Sequence, residues 1–362
     1  MTRFLQAAAQ NRADLTIEDF SASQIRWVIA SGLAPLLVRC IANTSHPRTS
    51  PLWPSLKGAD LAARMIHAEQ MEAMEEITQA CEGQVRPLTL LKGISVSEQF
   101  YPDPYLRPMR DIDFLVEQND VPIVESILLR LGYHRRSENP QEFYETHHHT
   151  TPFFHSQKKV WVEVHRALQP RQTPIGLDKV FSADVIKSER RPAEFRGRPV
   201  NRLSNELQVV YLASHWAFDL KLVGGMVAMI DLIYLLKTAQ TICWSRILDW
   251  VDGAIAATPL YLLLTYLDRH GVVELPPGFV GELSLRQRSV GRTSLRILHA
   301  MIDRYITNGS DFGLLVSERN FRIVWNTLLL PSPPSRRFLV VFWHLLPSRG
   351  WLARSMIGCK HR

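Results

Sequence analysis

The sequence predicts an α+β protein, with a small mixed-sheet core flanked by N-terminal and C-terminal helical domains. Three observations predict it. Residues 86–165 read as strand, helix, strand, helix and hairpin, the order of a small α/β unit. The segments before 85 and after 201 carry apolar residues at helical period. Between them, Asp111-Ile112-Asp113-Phe114-Leu115-Val116 alternates with the period of two that marks a half-buried strand. The divisions drawn are 1–85, 86–200 and 201–362.

Taken in order, Gln24 to Ala30 and Leu33 to Ile41 have helical spacing, whereas Thr44 to Lys57, with Pro47, Pro51 and Pro54, reads as a loop. A third helix is expected from Ala59 to Cys81, closed by Gly83. Pro87 to Leu91 is a short apolar strand ending at Lys92-Gly93. Ile94 to Phe100 is helical, Tyr101 to Pro108 a loop, Asp111 to Val116 the second strand, and Val121 to Leu131 a helix closed by Gly132. Glu142 to Phe154 and Lys159 to His165 read as an antiparallel pair turned at Ser156-Gln157-Lys158. Beyond residue 201, Asn205 to Lys221, Val227 to Lys237, Trp244 to Ala257 and Leu260 to His270 are helical. Pro331, Pro333 and Pro334 precede a last basic helix.

Composition narrows the class. Of 362 residues, 46% are apolar and 21% charged, as in a soluble globular protein with room for a sizeable core. The longest apolar run, Phe338 to Leu346, is half a membrane span and contains His344, and the N-terminus lacks an apolar signal stretch. Cys40, Cys81, Cys243 and Cys359 show no CxxC spacing, so they indicate neither a zinc site nor a disulfide framework and fit a reduced, cytoplasmic setting. The net charge of +7 is concentrated at one end: from Arg286 to Arg362 thirteen Lys and Arg face three acids. Such a tail is either a solvated helical face or a surface for an acidic partner; nucleic acid is the disfavoured occupant.

The residues that point to chemistry are acids. On a strand Asp111 and Asp113 share one face while Ile112, Phe114 and Val116 share the other. Two adjacent carboxylates repel unless a cation lies between them, and a hard divalent ion, Mg²⁺ or Mn²⁺, carrying a triphosphate is the usual occupant. In Val160-Trp161-Val162-Glu163-Val164-His165 the valines take the buried face, leaving Glu163 and His165 on the other. If this strand lies beside the first, Glu163 becomes a third acid, a metal ligand or a base. Lys92-Gly93 at a strand–helix turn suits a phosphate, with Ser95 as a hydroxyl donor. Arg107 and Arg110 suit either phosphate or the acids. His215 and Asp219 lie one helical turn apart, and Asp231 sits in an apolar helix where it needs a partner. His215 and Asp231, with His165, are candidates for lining an acceptor cleft; a structural cap or ion pair is the other reading of Asp231. His147-His148-His149 and His155 look like a metal cluster. On a strand, however, alternate residues face opposite ways, so only His147 and His149 share a side, and polar contacts beside the active face are the preferred reading.

Leu90-Leu91-Lys92-Gly93, Tyr101-Pro102, Arg107, Asp111-Ile112-Asp113 and Val162-Glu163-Val164-His165 together resemble the bacterial uncharacterised nucleotidyltransferase family, within the DNA polymerase β-like superfamily. The similarity extends through the His215 helix, the Asp231-Leu232 helix and Leu345-Leu346-Pro347-Ser348. The resemblance implies that Asp111 and Asp113 are the metal-binding pair and Glu163 the third acid. It also puts Lys92-Gly93 in place of the superfamily's Gly-Ser phosphate turn, here with Ile94 directly after Gly93. Family members often lie beside genes for exopolysaccharide synthesis or ribosomally made peptides, which implies tailoring of a small-molecule or peptide acceptor. The expected activity is Mg²⁺-dependent transfer of a nucleoside monophosphate from a nucleoside triphosphate. The alternatives are transfer of another phosphorylated group, such as a sugar phosphate, to a peptide, and a catalytically silent peptide- or nucleic-acid-binding module.

Overall fold

A computed structural model describes residues 1–41, 50–218, 224–287, 290–308, 318–330 and 333–345. Seven strands among them build one sheet: β1 (Thr89–Leu90), β2 (Ile112–Leu115), β3 (Tyr133–Arg135), β4 (Phe153–His155), β5 (Val160–His165), β6 (Arg190–Phe195) and β7 (Arg198–Leu203). Their order is β3-β4-β5-β2-β1-β7-β6. The sheet is mixed, since β2 runs parallel to β5 and antiparallel to β1, while β1 runs parallel to β7. With helices before, within and after the sheet, the architecture is the α+β class expected.

The helices that precede and interrupt the sheet are α1 (Thr2–Ala9), α2 (Ala22–Ala30), α3 (Ala34–Cys40), α4 (Trp53–Cys81), α5 (Lys92–Phe100), α6 (Val121–Arg130), α7 (Gln141–Thr146) and α8 (Ala183–Ser188). Those that follow are α9 (Asn205–Phe218), α10 (Gly224–Thr238), α11 (Trp244–Val251), α12 (Ala257–Arg269), α13 (Phe279–Arg286), α14 (Arg292–Asn308), α15 (Glu318–Leu329) and α16 (Pro334–Leu345). No helix among the described residues is long and apolar enough to cross a membrane. The basic stretch beyond residue 345, including Cys359 and Leu346-Pro347-Ser348, lies outside the described residues, as does Asp219.

Several boundaries differ from expectation for local reasons. The long helix begins at Trp53 rather than Ala59, because Pro54 occupies its first turn, where no backbone N–H is required. Residues 141–146 form α7 instead of a strand: Pro140 at the N-cap, lacking an N–H, suits a helix start better than a ladder. The hairpin is therefore reduced to β4 and β5, paired from Phe153↔Val162 to His155↔Val160. The expected helix from Trp244 to Ala257 stops at Val251, before Gly253 at φ +70°. Strand β3 and the β6–β7 hairpin were not anticipated. The hairpin turns through Arg196 and Gly197, both at positive φ (+51° and +77°), the backbone of a two-residue turn that follows strand twist.

Alternation along the central strands sorts the core. Ile112, Phe114, Val162 and Val164 point to one face and join Met74 and Ile77 of α4 and Val124 and Leu128 of α6 in one apolar cluster. The other face carries Asp113, Glu163 and Leu115. Leu115 belongs to a second cluster that joins α1–α3 to the helices from α9 onward. Phe114 is fully buried at the centre of the sheet. Phe114→Ala is expected to lower unfolding free energy by about 3–5 kcal/mol, read by urea denaturation, with the helical content of the folded state unchanged.

Candidate active site

Above that second face lies a cavity of about 620 Å³, walled by the sheet, the loops at its strand ends, and helices α9 and α10 through Tyr211, His215, Val227 and Ala228. Asp111, Asp113 and Glu163 line it together with Lys92, Arg107 and Arg110. The parallel register of β2 and β5 sets Asp113 directly opposite Glu163, and Asp111 stands in the bend just before β2. The three acids separated by up to 52 positions in sequence thus share one surface.

Two groups of the protein itself, Lys92 and His165, partner them. Lys92 Nζ is 3.2 Å from Asp113 Oδ1. Its backbone is left-handed, φ +41°, at the junction of β1 and α5, a conformation that a β-carbon-bearing residue adopts only when its surroundings hold it there. Burial disfavours charge on Lys92, but Asp113 foremost keeps its pKa well above the usual value. His165 Nε2 lies 2.7 Å from Asp113 Oδ1 and 3.5 Å from Glu163 Oε2. Burial and Lys92 oppose protonation of this imidazole, yet the two carboxylates raise its pKa overall. His165 is wholly buried and stands behind the acids rather than on the cavity wall.

The acids respond unequally. Burial raises Asp113, but Lys92 and the His165 hydrogen bond outweigh it and hold its carboxyl well below the usual range. Glu163 is likewise lowered, burial being overcome by His165. Asp111 has no such close partner. Burial, and then the charges of Asp113 and Glu163, push it up to about 7. A buried carboxyl pushed up to about 7 beside two other acids is one whose ionised form a bound cation would favour. Asp113, Glu163 and His165 offer ligand atoms within 4.8 Å of one another. The oxygen-rich donor set, with Asp111 beside it, suits a hard divalent ion such as Mg²⁺ or Mn²⁺.

The remaining sequence candidates separate into those at the cavity and those behind it. Arg110 is exposed at the rim. Arg107 is directed to Asp231: its Nη2 donates to Oδ2 at 2.8 Å and its Nε to Oδ1 at 3.1 Å, while Tyr101 Oη donates to Oδ1 at 2.8 Å. Asp231 is fully buried and does not line the cavity, so of its two readings the ion pair is the one found. Gly93 has a packing reason of its own, since a Cβ there would lie 2.6 Å from Met109 Cγ and collide with Arg107 Nη1. Ser95 is buried away from the cavity, its Oγ accepting from Gln99 Nε2 at 2.8 Å. His215 reaches the cavity, stacked on Tyr211 at 6.3 Å; burial first, then Lys92, push its pKa down to about 3, so it is neutral.

The histidine triplet departs most from expectation. His147 and His148 lie in a bend after α7, not on a strand, so alternation does not apply and all three rings gather on the cavity wall. Tyr211, Gln169 and Thr173 also line the cavity, and no spacing or motif marked them in the sequence.

A family model described as "Uncharacterised nucleotidyltransferase" matches residues 22–270, which include every acid of the cluster and the Arg107–Asp231 pair. No curated protein matches the chain, and no solved structure does.

Removing Asp231 strands a guanidinium that is only 11% exposed. Asp231→Ala is expected to lose about 3–5 kcal/mol of stability in urea denaturation, and Arg107→Met/Asp231→Leu to recover much of that loss because no charge is then left unpaired.

Proposed function

The chain belongs to the uncharacterised nucleotidyltransferase family, and from that premise we propose that it transfers a nucleoside monophosphate from a nucleoside triphosphate to a small-molecule or peptide acceptor. The observation that carries the reading is the acid cluster: Asp113 opposite Glu163 across parallel strands, with Asp111 alongside and its carboxyl pushed up to about 7.

In this reading Asp111, Asp113 and Glu163 hold Mg²⁺ or Mn²⁺, which when bound neutralises the triphosphate and stabilises charge on the phosphorus under attack. The chain's own groups do the rest. Lys92, already charged beside Asp113, and Arg110 at the rim attract the phosphate tail. His165 fixes the orientation of Asp113 through a 2.7 Å hydrogen bond. Glu163, ionised and facing the cavity, is placed to accept the proton of an acceptor hydroxyl as its oxygen attacks the α-phosphorus and pyrophosphate departs. Arg107, held by Asp231, keeps α10 against the loop before β2 and so maintains the cavity in which donor and acceptor meet. A volume of about 620 Å³ is within the range of small-molecule sites.

Calorimetric titration with ATP, GTP, CTP and UTP tests this. Binding of at least one nucleotide is expected with Mg²⁺ and not without it, and Asp111→Ala/Asp113→Ala is expected to abolish it. Asp111→Asn should abolish turnover with the fold intact; a wild-type rate in that variant overturns the assignment. A second outcome follows from the raised Asp111 pKa. Below its pKa of about 7 this carboxyl must give up a proton to bind a cation. Mg²⁺ binding is therefore expected to weaken as pH falls from about 8 to about 6 and to release close to one proton at the lower pH, measured by calorimetry in buffers of different ionisation enthalpy.

A further inference from the structure

Beside the acids, on the same cavity wall, His147, His148 and His149 bring their rings together. Centroid separations are 4.2 Å for His147–His148, 4.3 Å for His147–His149 and 4.8 Å for His148–His149. Each offers one nitrogen within 4.8 Å of the other two. Three neighbouring imidazoles gain little from one another, and two of them leave a buried nitrogen, Nδ1 of His147 and of His148, without a hydrogen-bond partner. Burying such a group is unfavourable unless something else satisfies it.

His149 shows what is missing. Its Nδ1 lies 2.7 Å from the carbonyl oxygen of Thr150. A carbonyl only accepts, so Nδ1 carries the proton and Nε2 presents a lone pair. That lone pair faces Glu163 Oε2, another acceptor, at 3.7 Å. An Nε2 lone pair with no donor opposite it can bind a cation together with the other two imidazoles. An Nδ1–H held by a backbone carbonyl is also the usual support of a metal-binding imidazole, because it fixes tautomer and ring orientation.

The backbone carrying the triplet is anchored. His148 O accepts from Arg166 N at 2.7 Å and from Ala167 N at 3.2 Å, Thr150 N donates to Val164 O at 2.9 Å, and Arg166 Nη2 donates to His147 O at 3.1 Å. The loop is thereby tied to the end of β5, the strand that bears Glu163. We propose that His147, His148 and His149 form a second metal site, distinct from the carboxylate cluster, that takes a borderline transition cation of the zinc class with one position open to the cavity. Imidazole nitrogens select such ions over Mg²⁺, which prefers oxygen. Tetrahedral ligation at zinc–nitrogen distances of about 2.0–2.1 Å sets nitrogens about 3.3 Å apart. The three nitrogens, within 4.8 Å of one another, would therefore have to approach by up to about 1.5 Å to ligate one ion. The site does not depend on nucleotidyl transfer being the reaction.

The test is Co²⁺ titration of the full-length protein in excess Mg²⁺, followed by visible absorption and by calorimetry. One Co²⁺ per chain is expected, with the strong d–d bands of a four- or five-coordinate ion. Binding should persist in Asp111→Ala/Asp113→Ala. It should weaken in His148→Ala by more than the about 10–100-fold typical of outer-shell changes. His147→Gln, at a half-buried position, repeats the test with a smaller perturbation, and circular dichroism identifies any variant that fails to fold. Three outcomes overturn the proposal: no stoichiometric Co²⁺ in the wild type, equal Co²⁺ binding in both histidine variants, or loss of Co²⁺ only in the aspartate variant. Nucleotide titration of the same samples keeps the two readings apart, since either can fail while the other stands.

Discussion

The pair Arg107–Asp231 is the interaction on which the arrangement rests. Taking both charges out of water costs several kcal/mol per ion, and only good geometry with further hydrogen bonds offsets this. Here two guanidinium nitrogens and the Tyr101 hydroxyl meet the carboxylate, and Arg107 Nη1 donates to Pro108 O at 2.8 Å. One guanidinium thereby joins α10, the loop leading into β2 and the first turn of α5, where Gly93 leaves room for it. Val227 and Ala228 of α10 form part of the cavity wall, so the seat of this helix sets the width of the space above the acids.

Around that frame the site balances charge internally and incompletely. Three acids face one lysine and one buried histidine, and Asp111 is raised by burial first and then by the charges of Asp113 and Glu163. The neutral imidazoles of the cavity wall add acceptors but no charge. The arrangement is poor as a purely structural device, because apolar residues of the same volume would pack more favourably. Clustered buried acids of this kind mark functional sites more often than structural ones, in keeping with membership of a nucleotidyltransferase family.

What could be read from the sequence follows how local each signal is. Strands β2 and β5 were legible because Ile112, Phe114, Val162 and Val164 alternate with polar residues, and that alternation also put Asp113 and Glu163 on one face. The pairing of those two strands is a tertiary fact, visible beforehand only as a condition. Strand β3 has three residues with one buried, and β6 includes Arg190, Arg191, Pro192 and Glu194, so neither shows an apolar period; Pro192 is tolerated because β6 is an edge. The histidine triplet shows how much one element matters: residues 147 and 148 form a bend, where the alternation of a strand does not decide which rings meet. Asp231 was recognisable as an acid needing a partner, but Arg107 lies 124 positions away and nothing local names it. Gly93 illustrates the converse: the residue was singled out for a phosphate, and packing against Arg107 and Met109 supplies a second reason for it.

The helical cluster has a consequence for how the chain comes into being. Helices α1–α3 share their core with segments made much later: Gln6 Nε2 donates to His270 O, and the Trp27 and Tyr305 rings meet edge-on at 6.0 Å. These helices are made well before those later segments, so although they pack on one another and on α4 early, part of their apolar surface is covered only when α9 and the helices after it follow. The sheet and its covering helices α4 and α6 need nothing beyond β7 to close their own cluster. Burial of the first helices is therefore completed later than that of the sheet, and apolar surface left uncovered in the interval is open to non-native association.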